Sequence, residues 1–246
     1  MPRAARKQSE SGIYHTILQG INQQLIFQED EDYKKFLDII ADCKERSGFK
    51  LHAYCLMGDH AHLLIEVAYE GLGHIFKRVG SKYVQWYNWK YDRAGHLFTG
   101  RFKSEPVEST AYFLTVIRCI HQNPVKAQLA DSVGDYKWSS YNDYVRRKSR
   151  LTNTSLALKM MLRDRFLKFN NETCSETCLE IAPPRINDKS AMEMIKRVLN
   201  CDTVKEFQQL DTQERKLGLA RLKQEGLSIR QINRLTRIGK GIVERA

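Results

Sequence analysis

The sequence contains no apolar run long enough to cross a lipid bilayer. A membrane-spanning helix needs about 18 or more apolar residues in succession, and no segment of the 246 residues approaches that length. The first ten residues, MPRAARKQSE, also lack the apolar stretch of a secretory signal peptide. We therefore expect a cytoplasmic protein.

Cysteines are few and widely spaced along the chain. Of the six, only Cys174 and Cys178 form a CxxxC pair, and no second pair completes the pattern of a zinc ribbon. The spacing also lacks the density of a disulfide framework in a small secreted domain. The other four cysteines are Cys43, Cys55, Cys119 and Cys201. The sequence therefore predicts reduced structural thiols.

Acidic residues are outnumbered by basic ones. Forty Lys and Arg stand against 29 Asp and Glu, which gives a net charge of +11 and an isoelectric point near 9.4. An excess of this size suits a polyanionic partner, because each neutralised phosphate releases condensed counterions. An anionic membrane surface would suit the same charge, but without an apolar anchor nucleic acid is the better candidate. The charge does not distinguish DNA from RNA.

Hydrophobic periodicity predicts alternating strands and helices in the first part of the chain, which indicates an α+β fold. We expect strands at 12–20, 51–57 and 62–68, helices at 30–46 and 72–91, and a strand or loop at 94–103. A third helix is predicted to begin at the N-cap Ser109 and to end at Asn123, because Pro124 follows.

The second part of the chain has a different composition. A Pro-Pro pair closes a polar stretch, and the residues beyond it show a helical pattern without any strand-like run. We therefore divide the chain into an α+β domain at 1–150, a linker and helical connection at 151–187, and a small all-α unit at 188–246.

His60 and His62 form the strongest candidate for a chemical site. On a strand, a spacing of two residues places both imidazoles on the same face, with Ala61 on the other. Two imidazoles on one face make half of a metal site, and histidine is the commonest metal ligand. The alternative is a pair of histidines that face solvent or bond to neighbouring side chains.

The sequence around this pair resembles the single-tyrosine HUH transposases of the IS200-like superfamily, and particularly the REP-associated tyrosine transposases. The resemblance rests on ordered blocks over roughly the first 145 residues: SGIYHTILQGIN, IF with DEDY behind it, MGDHAHLLI, AGHLFTGRFKS, IRCIHQNPVKA and WSSY. It implies a ferredoxin-like HUH domain, a central and mostly antiparallel sheet with helices on one face. It also implies a single-strand DNA endonuclease and strand transferase that acts on hairpins such as repetitive extragenic palindromes, and a possible homodimer.

The same resemblance implies one divalent ion, Mg²⁺ or Mn²⁺, at the histidine pair. The matching ligands are His60, His62 and Asn123. The metal would act as a Lewis acid on the scissile phosphodiester. Asn123 also has an ordinary structural interpretation, as the last residue of a helix before Pro124.

The position of the family's nucleophile departs from the pattern. The attacking Tyr lies one helical turn before the amide ligand in the relatives, and here that position is Cys119. A thiolate is a poor nucleophile at phosphodiesters, so we expect weak or absent cleavage. Tyr112 is two turns upstream, about 10.5 Å along the helix, which is too far for it to substitute.

Three interpretations of Cys119 stay open: an inactivating change, an engineered substitution, or a core cysteine in a misaligned segment. They lead to two candidate functions. One is a transposase with impaired cleavage, and the other is a catalytically silent regulator that binds hairpin DNA.

Basic residues predict where DNA would bind in the first domain. Lys82, Arg101 and Lys103 occur in segments that mix cations with aromatic rings, as single-strand binding sites do. Arg3 and Arg6 form a short basic arm, which helps to recognise hairpins in the relatives. The alternatives are a solvated helix face for the first group and a disordered terminus for the second.

The segment GLSIRQINRLTRIGKGIVERA at 226–246 resembles a helix-turn-helix. Its turn contains Gly239, and the helix after it would enter a major groove. Arg230 and Lys240 are the candidate DNA contacts. The alternative is a two-helix hairpin with basic exposed faces.

Overall fold

The chain divides into two compact units, Met1–Ile181 and Ala182–Ala246. A computed structural model describes residues 6–146, 149–173, 176, 178–180, 187–201 and 203–246. No helix within these residues is both long enough and apolar enough to span a membrane.

The first unit alternates strands and helices as the periodicity predicts. Its elements are β1 (Ile13–Gln19), α1 (Asp30–Ser47), β2 (Lys50–Met57), β3 (His60–Glu66), α2 (Leu72–Lys90), β4 (Lys103–Pro106), α3 (Thr110–Lys126), α4 (Tyr141–Arg146), α5 (Ser155–Met160) and α6 (Arg163–Asn171).

The four strands form one antiparallel sheet in the order β2-β3-β1-β4. This order, with the sequence β1-α1-β2-β3-α2-β4, is the ferredoxin-like arrangement, and it confirms the predicted fold class. β2 and β3 are joined by the two-residue turn Gly58-Asp59, so that Met57 and His60 are directly opposite each other. The histidine pair therefore lies at the start of a central strand.

Helices cover both faces of the sheet, and the expectation of helices on one face is wrong. α1 and α2 pack on the face that carries Leu56 and Leu63, whereas α3 packs on the face that carries Cys55 and Leu64. The physical reason is visible in β2 and β3, whose side chains are buried on both sides. An antiparallel strand with two apolar faces needs a layer on each.

Local chemistry explains where α1 begins and ends. Its first turn is acidic, which suits the positive end of a helix dipole, and Glu29 and Asp32 form a reciprocal capping box. The helix stops at Gly48, whose φ of +67° lies in the left-handed region that glycine tolerates best.

The segment 94–103 is mostly a loop, the second of the two predicted alternatives, and β4 begins only at Lys103, because Gly95 and Gly100 adopt positive φ angles that interrupt an extended strand. One predicted boundary, the end of α3, is displaced. α3 begins at the predicted N-cap Ser109, whose hydroxyl accepts from the backbone NH of Tyr112, but it continues past Pro124. Pro124 lies in the last turn, where the missing N–H removes only one helical hydrogen bond.

The segment 151–187, expected as a linker and helical connection, contains α5 and α6. Ala157 and Phe166 from these helices are fully buried in the same cluster as Phe113 and Ile117 of α3. Both helices are thus part of the first unit.

The second unit is all helical over the residues described. It contains α7 (Asp188–Leu199), α8 (Val204–Gln209), α9 (Thr212–Gln224), α10 (Ile229–Thr236) and α11 (Lys240–Arg245). Its core holds Phe207, Leu219, Ile232 and Val243. α10 ends at Arg237, which has a φ of +58°.

Candidate functional site

The imidazoles of His60 and His62 lie side by side on the α3 face of β3. Their ring centroids are 5.1 Å apart and the rings are nearly perpendicular. His62 is buried, with 4% of its surface exposed, while His60 is half-buried. We call these two residues the histidine pair.

A hydrogen bond holds Nδ1 of each ring in the histidine pair. Nδ1 of His60 lies 2.6 Å from Oδ1 of Asp59, and Nδ1 of His62 lies 3.0 Å from Nε2 of His15 on β1. Nε2 is therefore the atom that each ring can offer to a ligand. Burial, followed by the nearby charges of His15, His60 and Lys103, lowers the pKa of His62 well below its ordinary value. A neutral imidazole is the form that binds metals.

The other predicted ligand, Asn123, lies on α3, which packs over β2 and β3. Its side chain is half-buried. Within the described part of the chain, no three His, Cys, Asp or Glu side chains come together as a metal site. The donor set that the sequence predicts is instead two imidazoles and one amide. These are neutral ligands that leave positions open for phosphate oxygens.

Cys119 is bonded to another cysteine. A disulfide joins it to Cys178, 59 residues further along the chain. The prediction of reduced thiols is wrong for this pair, and it is confirmed for Cys43, Cys55 and Cys201. Cys174 lies outside the described residues. Sequence spacing could not reveal the pair, because the chain must turn back over α3 to bring Cys178 into place.

The segment that carries Cys178 follows α6 and lies along α3 and β4. We call it the return segment, of which the structure describes residues 172–173, 176 and 178–180. The Arg118 guanidinium on α3 forms an ion pair with Glu176. Lys103 on β4 donates to the backbone oxygen of Glu180 at 3.5 Å. These contacts place the return segment against both elements.

Tyr112 contacts β4. Its hydroxyl donates a hydrogen bond to the carboxyl group of Glu105, and the side chain is half-buried. Burial raises the pKa of Glu105 above its ordinary value. Glu105 is directly opposite His15 in the β1-β4 register, so both side chains share the α3 face of the sheet.

Three of the predicted DNA-binding residues line one surface groove. The groove has a volume of about 520 Å³ and is bordered by the predicted residues Arg6, Arg101 and Lys103 together with Phe102. We call it the basic groove. The guanidinium of Arg6 lies 3.8 Å from the centre of the Phe102 ring. None of the described residues that line the groove is acidic.

Lys103 connects the basic groove to the histidine pair. It is directly opposite Ile17 on β1, and Ile17 is directly opposite His62 on β3. The side chains of Lys103 and His62 therefore project from the same face of the sheet.

The remaining predicted DNA contacts lie elsewhere. Lys82 is on the flank of α2 that faces α1, where it forms an ion pair with Asp42. Arg230 and Lys240 are exposed on α10 and α11 of the second unit. Arg3 lies outside the described residues.

Comparison with known proteins finds a family similar to part of the first unit. The model of the family described as "Transposase IS200 like" matches residues 8–123, slightly less than half of the chain. This part of the first unit is similar to the IS200-like transposases. The match includes the histidine pair, Cys119 and Asn123. No curated protein matches the chain.

Two solved structures are similar to this IS200-like chain. One is a REP-associated tyrosine transposase bound to a REP hairpin, with 14% sequence identity and a TM-score of 0.53. The alignment covers 73% of this chain and 100% of that chain, and at this identity it shows a common fold. The other is a protein of Deinococcus radiodurans assigned as a transposase, with 18% identity, a TM-score of 0.36, and coverage of 52% and 98%.

The structure also shows that two of the sequence blocks in the IS200-like unit contact each other. His121, from IHQNP, is fully buried, and its Nε2 lies 2.8 Å from Oγ of Ser140 in WSSY. Its Nδ1 lies 2.8 Å from Oδ1 of Asn170 on α6. One imidazole therefore ties α3 to two later segments and fixes the helix that carries Cys119.

This buried imidazole makes folding stability depend on pH. Burial lowers the pKa of His121 from 6.5 to about 4, although the hydrogen bond to Asn170 acts in the opposite direction. Between these values the unfolded chain binds a proton that the folded chain does not, so stability falls as the pH falls. The loss is about 3 kcal/mol by pH 4, because a tenfold difference in proton affinity between the folded and unfolded chains corresponds to roughly 1.4 kcal/mol.

Urea unfolding between pH 7 and pH 4 measures this effect. The free energy of unfolding of His121→Gln should depend less steeply on pH than that of the unsubstituted protein. His74→Gln, at an exposed position, should keep the original dependence. Equal slopes in all three proteins would show that His121 does not contribute.

Sequence reasoning missed His15, Glu105 and Cys178. His15 is a polar residue in an otherwise mostly apolar strand, IYHTILQ, and it is 1% exposed. That interruption was the one available signal. Its partner His62 is 47 residues away, and only the β1-β3 register brings the two together.

Proposed function

We propose that this IS200-like protein is a metal-dependent single-strand DNA endonuclease and strand transferase of hairpin DNA such as repetitive extragenic palindromes. We propose further that its cleavage is impaired. The observation that carries the first part is the histidine pair, in which both Nδ1 atoms are engaged and both Nε2 atoms are left for an ion. The observation that carries the second is the cysteine at position 119.

His60, His62 and Asn123 would hold the ion. The fit rests on the chemistry of the donors, since imidazole nitrogens and an amide oxygen suit Mn²⁺ and accept Mg²⁺. A bound ion would supply Lewis-acid polarisation of the scissile phosphodiester. Asp59 and His15 orient the two imidazoles, and Asn123 is half-buried on α3, which packs over the strand that carries them.

The nucleophile is the missing part of this site. A Tyr conserves the energy of the cleaved strand in a phosphotyrosine bond, which a later 3′-hydroxyl can reverse. Cys119 lacks the phenol, and its sulfur is occupied by the bond to Cys178. The hydroxyl of Tyr112 is bonded to Glu105. Strand cleavage would then be slow or absent.

A second function follows from the same disulfide. A chain whose residue 119 is covalently tied to the return segment can keep its DNA-binding surface without any cleavage chemistry. Such a protein would be a silent regulator that binds hairpin DNA. The two functions differ in one product, a covalent protein-DNA adduct.

The DNA would pass from the histidine pair to the basic groove. Arg101 and Lys103 supply cations there, and Arg6, which lies over the ring of Phe102, supplies a third. The N-terminal arm that contains Arg3 and Arg6 would contribute further phosphate contacts.

The second unit would contribute a separate contact with DNA. We propose that α11, beginning at Lys240, enters a major groove as the second helix of a helix-turn-helix, with Arg230 on α10 beside it. Asn233 supports the turn by donating to the backbone oxygen of Ile238 at 2.7 Å. The association of two copies stays a prediction.

Removing two cations from the basic groove tests the DNA path. The variant Arg101→Ala/Lys103→Ala should bind a DNA hairpin with a single-stranded flank about tenfold more weakly at low salt. The slope of log Kd against the logarithm of the salt concentration should fall by about 2, one unit for each lost phosphate contact. Fluorescence anisotropy over a salt series measures both quantities.

The matched control is Lys34→Ala/Lys35→Ala, which removes the same charge from α1 on the other flank of the sheet. An equal loss of affinity in both double variants would show that net charge alone controls binding, and it would contradict the proposal that DNA binds in the basic groove. An RNA hairpin of the same sequence serves as competitor. Tighter binding of RNA than of DNA would count against a DNA function.

A further inference from the structure

His15 lies directly behind one member of the histidine pair. Its Nε2 is 3.0 Å from Nδ1 of His62, and the two ring centroids are 5.3 Å apart. His15 is 1% exposed, so no solvent competes for this contact. The other member of the pair, His60, has the carboxylate of Asp59 in the same position. The two candidate ligands therefore have different partners at Nδ1.

The contact between two imidazoles has two possible proton arrangements. In one, Nδ1 of His62 donates to Nε2 of His15, and Nε2 of His62 keeps a lone pair that can bind a metal. In the other, Nε2 of His15 donates to Nδ1 of His62, and the proton on Nε2 of His62 blocks metal binding. The tautomer of His15 thus determines whether His62 can be a ligand.

The far side of His15 provides a second observation. Its Nδ1 is buried and has no hydrogen-bond partner among the described residues. In the arrangement that frees His62, this Nδ1 carries a proton and requires an acceptor. Glu105 is directly opposite His15 on β4 and projects from the same face of the sheet. One oxygen of its carboxyl group accepts from Tyr112, and the second oxygen makes no hydrogen bond to His15 in this structure, so that a bond between them requires the Glu105 side chain to turn.

We propose that His15 is a positioning residue for His62: its Nε2 accepts the Nδ1 proton of His62, which leaves the Nε2 lone pair of His62 for a divalent ion, and its own Nδ1–H would donate to Glu105 once that side chain turns toward it. This inference rests on the proposed metal-binding function. It extends the site from β3 across β1 to β4. Partners of this kind keep metal-bound histidines in one tautomer and orientation in many proteins.

Two variants of His15 separate positioning from packing. His15→Leu keeps an apolar side chain of similar size and removes the acceptor, whereas the amide oxygen of His15→Gln can replace Nε2 as acceptor. Isothermal titration with Mn²⁺ should show about 10- to 100-fold weaker binding for His15→Leu, the loss typical of a missing partner behind a metal ligand. His15→Gln should retain an affinity close to that of the unsubstituted protein.

Nitrogen-15 NMR of the histidine rings gives a readout that does not depend on affinity. With Mg²⁺ bound, His62 should carry its proton on Nδ1, and His15 should carry its proton on Nδ1 as well. His15→Leu should show a mixture of tautomers at His62. Thermal unfolding of each variant checks that the fold is retained.

Each outcome has a distinct meaning. If His62→Ala binds Mn²⁺ as tightly as the unsubstituted protein, the proposed metal site fails and the role of His15 fails with it. If His62→Ala loses Mn²⁺ but His15→Leu does not, only the positioning role is overturned. If His15→Leu does not fold, the NMR spectrum of the unsubstituted protein tests the inference. A proton on Nε2 of His62 in the presence of Mg²⁺ overturns it.

Discussion

Cys119→Tyr combined with Cys178→Ser should convert the protein into one that cleaves single-stranded DNA beside a hairpin and stays attached to the new 5′ end. The phenolate supplies the nucleophile that position 119 lacks, and it lies one helical turn from Asn123. Cys178→Ser is needed because the Tyr ring occupies the space of the disulfide. Removal of a nucleophile costs enzymes up to roughly 10⁶-fold in rate, so the gain should span several orders of magnitude.

The matched control is Cys119→Phe/Cys178→Ser, which has the ring without the hydroxyl. A denaturing gel with Mn²⁺ and a labelled hairpin measures the covalent adduct, and mass spectrometry locates it. Absence of an adduct in the Tyr variant, with Mn²⁺ bound, would support the silent regulator. An adduct on Tyr112 would assign the nucleophile to that residue.

Loss of either imidazole of the histidine pair should abolish measurable Mn²⁺ binding. His60→Ala and His62→Ala each remove one of three proposed ligands, and we expect a loss of more than about 100-fold, larger than that for a partner behind a ligand. Isothermal titration and the electron paramagnetic resonance signal of free Mn²⁺ measure it.

The control for this experiment is His74→Ala, because His74 is exposed on α2 and distant in sequence from the pair. It should bind Mn²⁺ as the unsubstituted protein does. If both variants of the histidine pair keep the Mn²⁺ affinity of the unsubstituted protein, the ion is bound elsewhere and the proposed site is wrong. Binding of hairpin DNA should survive in all three variants, since the basic groove is intact.

Local patterns in the sequence predicted most of the elements of the first unit. The helix predicted at 30–46 and the strands predicted at 51–57 and 62–68 depend on patterns among neighbouring residues, and they appear in the structure at nearly the predicted positions. The layering of helices was not predictable in the same way. It depends on which face of β2 each helix meets, and that is decided by contacts between distant segments.

The candidate site shows the same division. The histidine pair was recognisable because its two members are adjacent on one strand face. The partners of the site come from far along the chain: His15 through the β1-β3 register, Glu105 through the β1-β4 register, and Cys178 through the return segment. A single sequence contains no local signal for such pairings. The resemblance to relatives located Cys119 but not the residue bonded to it.

The hydrogen bonds of His121 also bear on how short a folded fragment of this protein can be. The family match ends at Asn123, yet the imidazole next to that boundary needs Ser140 and Asn170 for its two ring nitrogens. A fragment trimmed to the matched residues would leave a buried polar ring without partners and α3 without its outer layer. The first unit must therefore keep its chain intact through α6 when it is joined to another protein.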